Sequence, residues 1–264
     1  MLAMPKISVV TISYNQAPYL DECIRSVLDQ NYPNVEYIVV DPGSMDGSRD
    51  IIHQHASRIQ KILLEPDLGP ADVLNKGFSH ATGDIFYYLN SDDRLAPGAF
   101  AFAIDFFNKH PAVDILCGAI RNIDEHGKAS SRKRTSDLFC FADYAQGINT
   151  VCQQATFFRR SAFHKTGGFN IANRVSWDGE LLVDLALAGC RFNTVPKVLG
   201  DFRIYSGSIT GSNRFRKQQQ QEHRRMNDKM TRANVQLYSP LHGKLRRLLY
   251  KLNIRRHLGY FLVS

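Results

Sequence analysis

Between residues 7 and 93, short apolar runs alternate with amphipathic stretches, and this alternation restricts the fold more than any other feature of the chain. Ile7-Ser8-Val9-Val10-Thr11-Ile12 reads as a strand. Leu20, Cys23, Ile24, Val27 and Leu28 follow at spacings of three and four, the mark of a helix, and Asn31-Tyr32-Pro33-Asn34 stops it. Val35 to Val40 is a second strand closing on Asp41-Pro42-Gly43-Ser44. Ser48-Arg49-Asp50 opens a second helix, and Ile59 to Leu64 gives a third strand. Asp67-Leu68-Gly69-Pro70 leads into a third helix with Leu74, Phe78 and Ala81 on one face. Ile85-Phe86-Tyr87-Tyr88-Leu89, after the turn residues Thr82-Gly83-Asp84, is a fourth strand. Strands that alternate with helices in this way imply a parallel sheet covered on both faces. Such sheets bind ligands beyond the carboxyl ends of their strands. Ser13-Tyr14-Asn15, Asp41, Glu65 and Asp92-Asp93 all sit at such ends, so they converge on one crevice.

Asn90-Ser91-Asp92-Asp93 carries the chemistry most clearly. Adjacent carboxylates repel, and burying both without a cation is costly. A hard divalent cation removes that cost, and magnesium or manganese commonly takes one or two carboxylates with water and phosphate as its other ligands. The alternative is a solvated strand exit, where aspartate is common.

In the second half, Ala99 to His110 reads as a helix and Val113 to Ile120 as a strand, followed by a turn at Asp124-Glu125-His126-Gly127. Ser130 to Asn149 is polar, basic and poorly periodic, so the expectation is a loop or lid. Gln153 to Phe158 reads as a strand, and Ser161 to Thr166 as a short helix. Asp178 begins a helix whose apolar positions are Leu181, Leu182, Leu185 and Ala188.

A chain of 264 residues, 44% of them hydrophobic, can bury one large core or one domain with an appendage. It has no apolar stretch of membrane-spanning length, and Met1-Leu2-Ala3-Met4-Pro5 is no signal peptide. Five scattered cysteines show no metal-ligand spacing, so reduced thiols and a cytoplasmic protein are expected. Gln218-Gln219-Gln220-Gln221 reads as a helix surface. From Lys229 onward there are eight Lys or Arg residues and no Asp or Glu, so the formal charge of +8 lies entirely in the tail. Leu241, Leu245, Leu248, Leu249 and Leu252 fall on one helical face. Lys244, Arg246, Arg247, Lys251, Arg255 and Arg256 surround them, with Tyr250, Tyr260 and Phe261 nearby. A basic amphipathic helix of this kind suits an anionic membrane surface, reached through residues 241–264 at the cytoplasmic face. Packing on the domain or on a second copy of the chain is the alternative. No nucleic-acid motif accompanies the basic block, so nucleic acid is not an expected partner.

Taken together, Val9 to Asn15, Val39-Val40-Asp41-Pro42-Gly43-Ser44-Met45-Asp46-Gly47-Ser48, Asn75-Lys76-Gly77, Thr82-Gly83-Asp84 and Asn90-Ser91-Asp92-Asp93 resemble glycosyltransferase family 2, the inverting group with the GT-A fold. The resemblance is specific over about residues 5 to 110 and weaker to about 210. It implies an α/β fold, GT-A and Rossmann-like, with a mostly parallel central sheet flanked by helices and a basic helical C-terminal extension. Residues 1–212 would form the glycosyltransferase domain, with a nucleotide-sugar-binding half (1–110) and an acceptor half (111–212), and residues 213–264 the extension.

By the same resemblance, Ile12, Tyr14, Asn15, Asp41, Asp72, Asn75, Ser91 and Asp92 would line the nucleotide-sugar site, and Asp92 and Asp93 would hold Mn2+ or Mg2+. Tyr14 would stack near the base; its other reading is an amphipathic core edge. Asp41 would hold the base or ribose, or else simply start a turn. Asp72 would face the nucleotide, or serve as a helix-start acid. Asp178 would be the catalytic base, with Glu180 in reserve, unless Asp178 only caps its helix. Many relatives have a second acid where Pro42 stands, and often a histidine near Tyr205; Asn90 stands for the first acid of an Asp-x-Asp motif, a variant that also resembles the family. Arg203 and Ser208 are polar groups in that last segment, with no catalytic role assigned. The implied donor is a nucleoside-diphosphate sugar, UDP-sugar favoured, and the implied acceptor a saccharide or lipid-linked saccharide of surface polysaccharide synthesis. The alternatives are a sugar-nucleotide-forming nucleotidyltransferase, which would carry a Gly-rich phosphate loop where Ser13-Tyr14-Asn15-Gln16 stands, and a non-catalytic binding protein on the same fold.

Overall fold

Strands and helices form where the alternation of the first 93 residues places them. β1 (Ile7–Ile12) leads to α1 (Ala17–Leu28), β2 (Val35–Val40) to α2 (Ser48–Gln54), and β3 (Lys61–Leu63) to α3 (Pro70–Ser79), before β4 (Ile85–Asn90). Then come β5 (Arg94–Leu95), α4 (Ala99–Lys109), β6 (Ile115–Ile123), β7 (Ala129–Thr135), α5 (Phe141–Ala145), β8 (Thr156–Arg159), α6 (Arg160–Phe163), α7 (Trp177–Leu187), β9 (Phe192–Arg203), α8 (Arg216–Arg232) and α9 (Pro240–Leu252). The structure, a computed structural model, describes residues 4–208, 212 and 215–252. Arg255, Arg256, Tyr260 and Phe261 of the basic tail, and Ile209 and Thr210 after the last strand, lie outside the described residues.

One sheet of nine strands runs in the order β3-β2-β1-β4-β8-β6-β9-β5, with β7 added on β6. It is parallel from β3 to β4 and mixed beyond: β8 is antiparallel to both β4 and β6, while β9 is parallel to β6. The chain order reverses beside β1, since β2 and β3 lie to one side and β4 to the other. That is the topological switch point at which a doubly wound sheet opens a crevice at its carboxyl edge. Alternate residues feed two cores. Val9, Tyr37, Val39, Tyr87 and Leu89 join α1 and α4 on one face. Val10, Ile38, Val40, Phe86 and Tyr88 join α3 and α7 on the other.

The expected loop or lid at 130–149 is corrected. Its start is β7, which pairs antiparallel with β6, and its middle is the short α5. β7 escapes detection by periodicity because it lies off the main path of the sheet and its first four residues are exposed, so nothing selects alternating apolar residues. The described part of the extension is no loose appendage. α8 buries Met226 and Met230 against Val183 of α7 and Ala145 of α5. α9 touches the domain through its polar side: Arg246 forms an ion pair with Asp143 at 2.7 Å, and the Tyr250 and Thr150 hydroxyls are 3.5 Å apart. Leu241, Leu245, Leu248 and Leu249 point outward, each more than half exposed.

Candidate active site

The loops after β1 and β2 are laced together before any ligand is considered. Asp41 is fully buried, and its carboxylate accepts hydrogen bonds from the backbone of Gly43 (3.1 Å) and Ser44 (2.8 Å), the Ser44 hydroxyl (2.6 Å) and Arg49 Nε (3.2 Å). The turn reading of Asp41 therefore describes its geometry, because its lone pairs are spent on its own loop. Burial raises the Asp41 carboxyl, but these bonds outweigh it and hold the group below the usual range. Ser44 in turn accepts the Asn15 N–H at 2.8 Å, and Asn15 Oδ1 accepts the Met45 N–H at 3.0 Å. Asn15 adopts a left-handed φ of 51°, a conformation that asparagine tolerates better than most residues. Tyr14, beside it, is 62% exposed over the crevice edge rather than packed in the core. Ile12 and Ser91 meet through their backbones, with Ser91 N–H donating to Ile12 O at 3.1 Å.

Two expected nucleotide contacts, Asn75 and Asp72, have partners within the protein. The Asn75 amide clasps Phe169, donating to its carbonyl at 2.7 Å and accepting its N–H at 2.8 Å. Asp72 accepts the Leu68 N–H at 2.9 Å and pairs with Lys76 at 3.0 Å, so it shapes the entry of α3.

The two acids after β4 differ sharply. Asp93 is 1% exposed and accepts the Arg203 backbone N–H on one oxygen and the Gln154 side-chain amide on the other, both at 2.9 Å. Burial, then the charge of Asp92, pushes its carboxyl well above the usual range. Asp92 is only half-buried, and a Tyr205 hydroxyl at 3.4 Å is its side-chain partner. Burial raises Asp92 as well, and the nearby Arg203 charge partly opposes this. Asn90 Oδ1 is buried without a hydrogen-bond partner. Among the described residues no three His, Cys, Asp or Glu side chains gather to hold a metal. A hard cation would find free carboxylate oxygens on Asp92, with phosphate and water oxygens as its other ligands, whereas each Asp93 oxygen already accepts one hydrogen bond.

Arg203 organises this turn and was not assigned a role from sequence. Fully buried, it donates from Nε to Asp92 O (2.8 Å) and from Nη1 to Asp124 O (2.9 Å), and pairs with Glu22. Its guanidinium lies 4.6 Å from the centre of the Tyr19 ring. No local pattern marks it, because its partners come from three distant segments. Gly200 on β9 lets this strand approach: a Cβ there would lie 2.2 Å from Gln154 O.

A second pair of acids stands at the head of α7. Glu180 has no exposed surface and accepts from Asn170 (2.9 Å), Asn173 (2.8 Å), Arg225 (2.6 Å) and Lys229 (2.9 Å). Burial would raise it, but the four donors lower it to about 2. Asp178 is not the helix cap. The residue preceding the helix is Ser176, whose N–H is taken by Asn173 Oδ1 (2.8 Å) and by Glu222 of α8 (2.9 Å). Asp178 instead lines a cavity of about 730 Å³ between α7, α8 and the segment around Tyr144. Burial raises its carboxyl, against the pull of the first-turn N–H groups. Burial, then the nearby Asp178 charge, pushes the hydroxyl of Tyr88, near the end of β4, well above its usual range. Sequence reading also left Gln219 and Gln220 as a plain helix surface, yet both line this cavity. Helical phase relative to buried Glu222 and Met226 was the signal that could have placed them.

Residues 8–167 match the family described as Glycosyl transferase family 2. An uncharacterized glycosyltransferase of Mycobacterium tuberculosis is 31% identical over 208 residues, 76% of this chain and 76% of that one. The chondroitin synthase of Escherichia coli is 25% identical over 244 residues, covering 90% of this chain but 35% of its own length. The mannosyltransferase of Pyrobaculum calidifontis, solved in complex with GDP-Man and Mn2+, shares the fold with a TM-score of 0.67 at 21% identity, over 92% of this chain and 70% of that chain.

Proposed function

Because the chain belongs to glycosyl transferase family 2, we propose that it moves a sugar from a nucleoside-diphosphate sugar to a hydroxyl of a saccharide acceptor, inverting the anomeric configuration, with Mn2+ or Mg2+ on Asp92. The observation that carries this reading is the division of labour within each acid pair. Asp93 and Glu180 are enclosed by donors, whereas Asp92 and Asp178 are only partly buried, and Asp178 lines a cavity. The mannosyltransferase solved with GDP-Man and Mn2+ supports a nucleotide-sugar donor and a divalent cation. The likeness to a chondroitin synthase supports a polysaccharide product.

In this reaction Tyr14 offers its exposed ring to the base, and the Asn15 backbone, fixed by Ser44, shapes the pocket floor. Asp178 accepts the proton of the acceptor hydroxyl while that oxygen attacks the anomeric carbon from the face opposite the diphosphate. The bond from that carbon to the diphosphate oxygen breaks as the new glycosidic bond forms, which inverts the centre. A raised carboxyl suits this role, since its basicity exceeds that of a solvated aspartate. A divalent cation bound at Asp92 would neutralise the charge gathering on the leaving diphosphate. Glu180 is a poor base because its four donors hold it ionised and occupied.

The test is nucleotide titration with UDP and GDP in the presence of Mn2+ and after chelation. The expected result is tighter binding with Mn2+, and loss of that difference in Asp92→Ala. Equal affinity with and without metal in the wild-type chain would remove the cation from the proposal.

A second reading concerns α9. Its leucines face outward while Gly243, Arg246 and Tyr250 face the domain, the reverse of a helix that seals a core. Exposed Lys244 and Arg247 flank the apolar stripe, so an anionic membrane surface complements this face in both charge and polarity. None of the described helices is long and apolar enough to cross a membrane.

A further inference from the structure

The cavity headed by Asp178 is cationic in a way that a neutral sugar does not require. Asp178 is the one acid among its lining residues, whereas Arg134, Arg216 and Arg224 all reach it. None of these three arginines has a carboxylate within ion-pair distance among the described residues. Arg134 Nε is buried with no hydrogen-bond partner, and the Arg134 guanidinium lies 5.6 Å from the centre of the Phe202 ring. The cations of α8 are divided by helical phase. Arg225 and Lys229 turn inward and are consumed by Glu180, while Arg216 and Arg224, two turns apart, turn to the cavity. Between them, the Gln219 and Gln220 amides offer neutral donors and acceptors suited to sugar hydroxyls, and His223, also lining the cavity, has its Nε2 engaged with Ala145 O at 2.9 Å.

Arg134 is partly buried with its Nε unmet, while Arg216 and Arg224 are exposed on the cavity's open side, so an anionic group entering it would meet three guanidinium groups that no carboxylate engages. We propose that this cavity is the acceptor site and that it selects an acceptor bearing an anionic group, a phosphate or carboxylate, which Arg134, Arg216 and Arg224 hold while Asp178 faces the hydroxyl to be glycosylated. The assignment rests on the glycosyltransferase reading of Asp178. It adds the class of acceptor, which neither the acid pairs nor the family specifies. Asp178 alone would repel an anionic acceptor, and the three guanidinium groups lining the same cavity offer that acceptor a counter-charge.

The full chain is titrated with a neutral methyl hexoside, the corresponding uronic acid, the corresponding hexose 1-phosphate, and that phosphate carried on a short alkyl lipid, and binding is followed by ligand-observed NMR at low salt. The charged sugars are expected to bind about ten- to a hundredfold more tightly than the neutral one. Arg134→Gln with Arg224→Gln should abolish that preference while UDP or GDP binding with Mn2+ stays unchanged. A stronger response to the alkyl phosphate than to the free sugar phosphate identifies a lipid-linked source, and an equal response a free one; both support the anionic site. Equal binding of neutral and charged sugars, with nucleotide binding intact, would overturn the inference alone. Loss of nucleotide binding in the arginine variant would also overturn it, by assigning these cations to the donor diphosphate. Failure of the wild-type chain to bind any nucleotide would instead count against the glycosyltransferase reading beneath it.

Discussion

The turn after β4 and the head of α7 solve the same problem with different means. Each places two acids within three residues, and each encloses one of them. At the turn, Asp93 is held by neutral donors, a backbone N–H and the Gln154 amide, and its carboxyl rises. At α7, Glu180 is held by two cations and two amides, and its carboxyl falls to about 2. The difference shows that burial alone does not set the state of a carboxylate; the charge of its donors does. The enclosed member of each pair ties distant segments together, while its neighbour stays partly exposed with fewer partners.

The comparison breaks most visibly at Asp178. If it is the exposed, chemical member of its pair, Asp178→Asn lowers kcat by about 10²- to 10⁴-fold. Nucleotide affinity and thermal midpoint stay near wild type, because Ser176, Asn173 and Glu222 manage the helix start. Its raised carboxyl also predicts that kcat declines on acidification at a pH above the ordinary aspartate range. Near-normal turnover in the asparagine variant would remove Asp178 from the reaction.

Glu180→Gln tests the enclosed member. A carboxyl lowered from 4.5 to about 2 on folding contributes about 3 kcal/mol that is fully present above pH 4.5 and lost as pH falls toward 2. The stability gap between wild type and Glu180→Gln, read from urea unfolding, should therefore be widest near neutrality and close in acid. A gap that does not change with pH would contradict the charge-assisted anchor. Asp93→Ala, by contrast, leaves two buried neutral donors unmatched and is expected to cost about 1–3 kcal/mol. If Asp93→Ala instead unfolds at the wild-type urea midpoint and loses only the metal effect on nucleotide binding, the roles of Asp92 and Asp93 are reversed.

The smallest effect concerns α9. The chain should sediment with anionic vesicles at low salt and less so at high salt, at about 1 kcal/mol for each engaged basic residue. Leu245→Ser with Leu248→Ser should weaken the part that salt does not remove. A chain ending at Ser239 is the appropriate control, since cutting after Asn227 would also remove Lys229 and buried Met230. Indifference of the full chain to anionic vesicles would leave the leucine stripe to a second copy of the chain.

Much of the first half was legible because its signals are local. Helical spacing placed α1 and α3, apolar runs bounded by turn residues placed β1, β2 and β4, and their alternation implied the crevice. The second half was less so: β7 pairs through the backbone with polar side chains exposed, and β8 is preceded by a 3-10 turn at Gln153–Ala155. Among the site residues, sequence brought the right segments to one edge but could not apportion their acids.

By itself the sequence determined the strand and helix order, the sheet edge where polar groups converge, and the concentration of positive charge in the tail. All three depend on residues a few positions apart. Only the tertiary structure decided which acid of each pair is enclosed. The donors to Asp93 come from positions 61 and 110 residues away, and those of α8 to Glu180 from 45 and 49 residues away. It also decided that Asn75 clasps Phe169, that Arg203 is scaffold, and that Arg134 and Arg224 meet around Asp178. A carboxylate's state follows from the groups folding brings to it, and those groups lie beyond the range of any local pattern.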